Sequence, residues 1–386
     1  MSVIRPEISA LEASGIGKIA IGALDDPEVI PLWFGESDIA TPAFIRDAAK
    51  AALDGGKTFY SYTRGHTALR QALHRYHRRI YGIDLDPDRI TSPGSTMLTV
   101  MIAAQCMVSR DDEVVIIGPN WPNIDTVVKI LGGRPVPVRL LEGVDRWHLD
   151  LDAVAAAIGP RTRAIYVNSP SNPTGWIMAA DEGRALLGLC RKHGVGLISD
   201  EVYHRNVFEG PDPAPSFLTL ADPREPVFVL NGFSKGWAMT GWRLGWMITP
   251  SGMAETMAVL AECNNTGSTA FAQYGGVAAL DDGEPFVAEF VARCRRNRDV
   301  IIETLGSHPR VRLAAPSGAF YAFPRIEGVG DGLAFARRVL AEAKVGMAPG
   351  YTFGPCNEAH FRLCFARRTE EVAEAARRIV AVIDRL

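Results

Sequence analysis

Through the middle of the chain, short apolar runs alternate with stretches of helical period. The runs EVVIIGP (residues 113–119), RAIYVNSP (163–170), VGLISDE (195–201), PVFVLNG (226–232) and LGWMITP (244–250) are rich in Val, Ile and Leu. Being continuously apolar, they predict strands buried on both faces, and intervening helices such as residues 179–194 predict a largely parallel sheet. After about residue 285 the texture changes to a long charged helix, VARCRRNRDVIIETL, then short strands and two more helices. The expected architecture is α/β: a large domain over 46–285 with a mostly parallel sheet covered by helices, and a smaller α+β domain over 286–386. Residues 1–45 are expected to form an N-terminal arm and part of the small domain. In such sheets ligands bind beyond the carboxyl ends of the strands. Asn172, Asp200 and Lys235 fall at or just past three of those ends.

Composition narrows the classes of function. The 386 residues are 47% hydrophobic and 22% charged, enough for two domains sharing a sizeable core. With 41 basic and 44 acidic residues the net charge is -3, which favours a small-molecule substrate over nucleic acid or an anionic membrane. No apolar run reaches the roughly 18 residues of a membrane span, and the first residues lack the apolar core of a secretion signal, so a cytoplasmic protein is expected. The six cysteines, Cys106, Cys190, Cys263, Cys294, Cys356 and Cys364, show no CxxC spacing and read as buried thiols.

The segment NGFSKGWAMTGWRLGW (231–246) carries the chemistry. It sets Lys235 in a small-residue turn after an apolar strand, with Ser234 before it and Arg243 behind. A desolvated lysine has a lowered pKa and can attack an aldehyde. A hydroxyl and a fixed cation beside it suit a phosphate. A phosphorylated aldehyde satisfies both, which suggests pyridoxal phosphate. The competing local reading is an ordinary solvated lysine and arginine on a Gly-rich turn.

Nine further blocks act together with this segment. They are GESDIATP (35–42), FYSYTRGHTALR (59–70), TSPGSTM (91–97), GPNWP (118–122), NSPSNPTG (168–175), SDEVY (199–203), PSGAFY (316–321), PGYTFG (349–354) and HFRLCFA (360–366). In this order they make the chain resemble the class I/II aminotransferase family of fold type I pyridoxal-phosphate enzymes, the aspartate aminotransferase-like group, over nearly its full length. The resemblance implies exchange of the amino group of an L-amino acid with a 2-oxo acid through an aldimine at Lys235. Lys235 would also move the proton between substrate and cofactor.

It implies further roles, residue by residue. Asp200 would pair with the pyridine nitrogen and keep it protonated; its local alternative is a helix N-cap. Asn172 and Tyr203 would hydrogen-bond the ring's phenolic oxygen, and Trp121 would stack on the ring. Gly94, Ser95 and Thr96, ahead of the apolar helix MLTVMIAAQ, would cradle the phosphate with Ser234 and Arg243, although Ser95 also reads as a plain N-cap. Tyr60 matches a tyrosine that reaches the phosphate of the other subunit, which implies a homodimer. Arg362 would fork the substrate carboxylate, with Gly35 allowing close approach and Trp121 and Asn172 completing the substrate site. A buried ion pair is the alternative for Arg362. One departure stands out: Gly232 occupies a position where many relatives carry a phosphate-binding serine.

Three further patterns carry no function. GIGKIA (15–20) has the letter of a dinucleotide fingerprint without the strand or βαβ unit it needs. His74 and His77 share a helix face among Arg75, Arg78 and Arg79, and read as a solvated helix with no metal. The basic run 293–298 reads likewise as a solvated face. Two alternatives stand beside the aminotransferase: a β-lyase or decarboxylase using the same electron sink, and an idle binding or regulatory homologue. Trp33, Phe34, Tyr60, Tyr62 and Trp121 leave aspartate-like and aromatic or broad side-chain preferences equally open.

Overall fold

The computed structural model describes residues 3–12 and 15–386. Its centre is a seven-stranded sheet built from β1 (Ile90–Thr91), β2 (Glu113–Gly118), β3 (Arg134–Arg139), β4 (Thr162–Asn168), β5 (Gly196–Asp200), β6 (Val227–Gly232) and β7 (Gly245–Ile248). The spatial order is β1-β7-β6-β5-β4-β2-β3. Strands β2 to β6 pair in parallel, whereas β7 runs antiparallel to both β6 and β1. LGWMITP is therefore a strand, but the one that breaks the parallel rule.

The continuous apolar runs have their cause in two separate cores. Val114, Ile116, Ala164 and Tyr166 belong to one, and Val115, Ile117, Ile165 and Val167 to the other. Successive side chains point to opposite faces, and both faces are covered, so no position in these strands can be polar without a partner. The covering helices relevant here are α1 (Ala43–Asp54), α2 (Thr67–Tyr81), α3 (Thr96–Met107), α4 (Ala180–His193) and α6 (Ala270–Asp282), with a one-turn helix α5 (Phe233–Gly236). Gly194, in left-handed conformation, closes α4 by donating to Cys190 O.

The C-terminal part consists of α7 (Glu284–Thr304), α8 (Gly332–Ala343) and α9 (Thr369–Ile383) with short strands β8 (Val311–Arg312), β9 (Tyr321–Ala322), β10 (Arg325–Ile326), β11 (Ala348–Pro349) and β12 (Phe361–Cys364). These form antiparallel ladders β9-β12-β11 and β8-β10. Ile30 and Pro31 pair in parallel with Val345 and Gly346, tying the N-terminal segment to this part. GIGKIA forms the short helix Gly15–Ala20.

Several expectations are corrected. Helix α2 is not solvated all round: His77 is buried against Trp246 and Tyr81, with its Nδ1 2.8 Å from Leu73 O, because residues 69, 73, 76 and 77 share the face turned to the core. Burial lowers its pKa to about 4 and keeps it neutral. Cys263 and Cys356 are exposed, so the thiols are not uniformly buried. The basic run on α7 is a free face only in part: Arg295 and Arg296 are exposed, but its two end arginines are engaged. Arg293 reaches Asp38 at 2.5 Å and Arg298 reaches Glu209 at 2.8 Å, while Cys294 and Asn297 between them are buried.

Candidate active site

The polar residues at the ends of the parallel strands open into a cavity of about 230 Å³. It gathers Thr96 and Met97 from the start of α3, Trp121 after β2, Asn168 and Asn172 after β4, and Asp200, Val202 and Tyr203 after β5. Ser234, Lys235 and Arg243 come from the segment between β6 and β7, and Gly35, Tyr321 and Arg362 from the two ends of the chain. Residues 327 positions apart thus meet because β12 and the N-terminal segment both pack over the sheet's carboxyl edge. Arg362 Nη2 donates to Trp33 O, and Cys364 N donates to Leu32 O at 2.9 Å.

Lys235 lies not in a loose turn but in α5, which follows β6 directly. Its Nζ donates to Gly35 O at 2.5 Å and lies 5.9 Å from the Tyr203 ring centre and 6.0 Å from that of Phe320. Burial lowers its pKa from 10.5 to about 8, and the positive charges of Arg362 and Arg243 push the same way. Near neutral pH an appreciable fraction is free amine.

Asp200 is buried at the end of β5. Tyr166 Oη donates to its Oδ2 at 3.0 Å and Val202 N to its Oδ1 at 3.1 Å, but no cation pairs with it among the described residues. Burial raises its pKa to about 6 in spite of these bonds.

Asn168, overlooked in the sequence, fixes the neighbouring loop. Its Nδ2 donates to Asp200 O at 2.9 Å and its Oδ1 accepts from Asn172 N at 2.8 Å. Asn172 Oδ1 then accepts from Arg362 Nη1 at 3.2 Å, leaving its amide hydrogens free for the cavity. Arg362 is 3% exposed, lies 4.7 Å from the Tyr321 ring centre and 5.0 Å from that of Phe353, and its Nε has no partner. No carboxylate pairs with it among the described residues, which removes the structural ion pair as its explanation.

Tyr321 is the second omission. Its hydroxyl lies 2.7 Å from that of Tyr203, and burial raises the pKa of both phenols, so each remains a hydroxyl donor. A Cβ on Gly35 would fall 2.1 Å from Tyr321 Oη, which explains the glycine. Only the fold reveals this contact, since the two positions are 286 residues apart.

The phosphate-type end is less uniform than the resemblance implied. Thr96, Ser234 and Arg243 line the cavity; Gly94 and Ser95 do not. Ser95 Oγ accepts from Leu98 N at 3.3 Å, its N-cap role. Arg243 adopts a left-handed backbone, φ 53°, and its Nη1 donates to Thr240 O at 2.7 Å. Gly232 has a steric reason: a Cβ there would meet Thr96 Oγ1 at 2.0 Å, and that hydroxyl already donates to Asn231 O at 3.1 Å. The threonine fills the space a serine at 232 would need. Tyr60 is 91% exposed and outside this cavity, and Trp33 is buried against Gly346 rather than facing it.

Comparisons with known proteins give the family. The family profile described as Aminotransferase class I and II matches residues 27–379. Arginine–pyruvate transaminase of Pseudomonas aeruginosa is 35% identical over 91% of this chain and 89% of its own. Aspartate aminotransferase of Pyrococcus horikoshii is 30% identical over 99% and 97%. The structure of alanine aminotransferase from Pyrococcus furiosus superposes with a TM-score of 0.92 at 29% identity, covering 99% of this chain and 100% of that one. The chain belongs to the class I and II aminotransferases and is a pyridoxal-phosphate-dependent enzyme.

Proposed function

We propose that Lys235, Asp200 and Tyr203 are the catalytic residues of an amino-group exchange between an L-amino acid and a 2-oxo acid. The observation that carries this reading is the charge arrangement of one cavity: Lys235, Arg243 and Arg362 surround the unpaired carboxylate of Asp200. Three cations without carboxylate partners fit a phosphate and a substrate carboxylate, and the lone buried anion fits a ring cation.

Pyridoxal phosphate supplies an aldehyde for the amino group and a protonated ring that draws off the electron pair left when the α-proton departs. The chain's residues hold and steer that chemistry. Asp200 would keep the ring nitrogen protonated. Asn172, with its amide hydrogens free, and Tyr203, whose proton is released toward the cavity when Tyr321 donates to it, would bond the phenolic oxygen. Trp121 would cover the ring face. Thr96, Ser234 and Arg243 would hold the phosphate with Gly94 and Ser95 behind them, and Tyr60 would add a contact in the site of a second copy.

Arg362 would fork the substrate carboxylate, with Asn172 orienting the guanidinium and Gly35 and Trp121 bordering the bound amino acid. Lys235 Nζ, with its pKa lowered to about 8, would accept the α-proton and return it to the neighbouring carbon. The same reading takes residues 46–285 as the cofactor-binding domain, 286–386 with the 1–45 arm as the small domain, and the enzyme as a cytoplasmic homodimer. In support of the location, no helix among the described residues is long and apolar enough to cross a membrane.

The relatives' names cover arginine, aspartate and alanine donors, so family membership leaves the amino acid to be found. The test is a half-reaction screen on the holoenzyme. Each amino acid is added without acceptor, and conversion of the bound cofactor to its amine form is followed by absorbance. Stoichiometric conversion and one equivalent of 2-oxo acid are expected; continuous ammonia release without acceptor would overturn the exchange reaction. Borohydride reduction followed by peptide mapping should place the cofactor on Lys235.

A further inference from the structure

Strand β4 sends two side chains of one face toward the site. Its register against β5 pairs Asn168 with Asp200 and Tyr166 with Ile198. Residues two apart point the same way, so Tyr166 stands diagonally across from Asp200, within reach of a long side chain. Asn168 holds the main chain of Asp200, whereas Tyr166 Oη donates to its Oδ2 at 3.0 Å.

Packing alone does not require that hydroxyl. Tyr166 is fully buried in the core that contains Val114, Ile116, Ile198, Phe228 and Leu230. A phenylalanine would fill the same space with no polar atom to satisfy. Among the described residues the hydroxyl bonds Asp200 and nothing else, and burial raises the phenol's pKa well above its usual value, so it stays a donor. Val202 N donates to the other oxygen, Oδ1, at 3.1 Å. With one donor on each oxygen, the carboxylate cannot rotate without breaking a bond, and each oxygen keeps a lone pair for a further partner.

A proton shared between a carboxylate and a pyridine nitrogen rests on the stronger base, and a hydrogen-bond donor makes a carboxylate a weaker one. We propose that Tyr166 is a positioning residue for amino transfer: its hydroxyl holds the Asp200 carboxylate in one orientation and draws off part of its charge, leaving the shared proton on the cofactor's ring nitrogen. This rests on the assignment of Asp200 to that nitrogen. The other titratable groups facing the pair are Lys235 on α5, Glu201 and Tyr203 after β5, and Asp125 on the helix Asn123–Ile130. None of them hydrogen-bonds the carboxylate.

Wild type, Tyr166→Phe, Asp200→Asn and the double variant form a cycle that tests this, phenylalanine keeping the ring in the core. Urea stability of the four apoproteins is measured as a function of pH. The difference between a protein and its Asp200→Asn counterpart isolates the titration of Asp200, whose raised folded pKa makes it cost stability as pH rises through that value. The midpoint of that difference, about 6 with the tyrosine in place, should rise by about one pH unit without the hydroxyl. In the holoenzymes, with the fastest donor of the half-reaction screen, Tyr166→Phe should lower kcat about tenfold and leave KM nearly unchanged. In the Asp200→Asn background it should change neither. An unmoved midpoint, or an equal fall in kcat in both backgrounds, would overturn the role of Tyr166. If Asp200→Asn by itself leaves the cofactor Kd unchanged, the ring-nitrogen assignment fails and takes the proposal with it.

Discussion

Replacing Asp200 with asparagine should stabilise the cofactor-free protein while weakening its hold on the cofactor. In the free chain the carboxylate ends a buried strand with two donors and no cation, and burial raises its pKa from 3.8 to about 6. A group whose folded pKa is raised contributes stability that is complete below the unfolded value and lost as pH rises through the folded one. Above pH 6 the ionised group therefore costs about 3 kcal/mol. Asparagine removes that cost but offers one acceptor oxygen where the carboxylate offers two, forfeiting about 1 kcal/mol. The net expectation is a gain of about 2 kcal/mol for the apoenzyme at pH 8, shrinking to nothing or reversing near pH 4. Urea denaturation of both apoproteins at the two pH values measures it. In the holoenzyme the charge-assisted bond to the ring nitrogen is lost, worth about 1.5–3 kcal/mol, so the cofactor Kd should rise roughly 10- to 100-fold. An apo variant no more stable than wild type at pH 8, or a difference that ignores pH, would refute the reasoning.

Other substitutions probe the remaining contacts. Because the Lys235 amine is released with a pKa of about 8, capture of pyridoxal phosphate by the apoenzyme should accelerate as pH rises and level off above that value; stopped-flow absorbance showing a midpoint near 10.5 would contradict the burial argument. Gly232→Ser forces a side chain into the space of the Thr96 hydroxyl and should cost about 1–3 kcal/mol of stability, seen as a lower Tm. Adding Thr96→Ala should recover most of that loss, whereas simple additivity of the two changes would deny the steric coupling. Arg362→Lys keeps the charge but loses the fork, so KM for the amino acid should rise by about one to two orders of magnitude with a smaller change in kcat. If Tyr60 serves a second copy, mixing inactive Tyr60→Ala and Lys235→Ala enzymes should restore activity in hybrids, and mixtures with none would place Tyr60 elsewhere.

Much of the fold was legible because its causes are local. Five apolar runs became five strands, since burial on both faces leaves a one-dimensional signature that survives without knowledge of neighbours. The antiparallel course of β7 was not legible: direction depends on a connection, here the short α5 segment, rather than on the apolar pattern of the strand. His77, Arg293 and Arg298 were misjudged for the same kind of reason. Whether a polar residue on a helix is solvated depends on what packs against that face, and Trp246, Asp38 and Glu209 come from elsewhere in the chain.

For the site, the sequence by itself determined which chemistry-bearing residues exist and that Lys235, Asp200 and Asn172 stand at strand ends. Only the tertiary structure decided their electrostatics and their spacing. The Lys235 pKa falls because the chain is folded around it, and Asp200 is costly because burial strips its carboxylate of water while no cation among the described residues comes close enough to pair with it. Tyr321 and Asn168 matter through single contacts, one to Tyr203 and Gly35, the other joining Asp200 to Asn172. Gly232 looked like a missing serine along the chain, but in three dimensions Thr96 already fills the volume. Side-chain identity and period are written locally, whereas excluded volume, desolvation and charge pairing are properties of atoms brought together from distant segments.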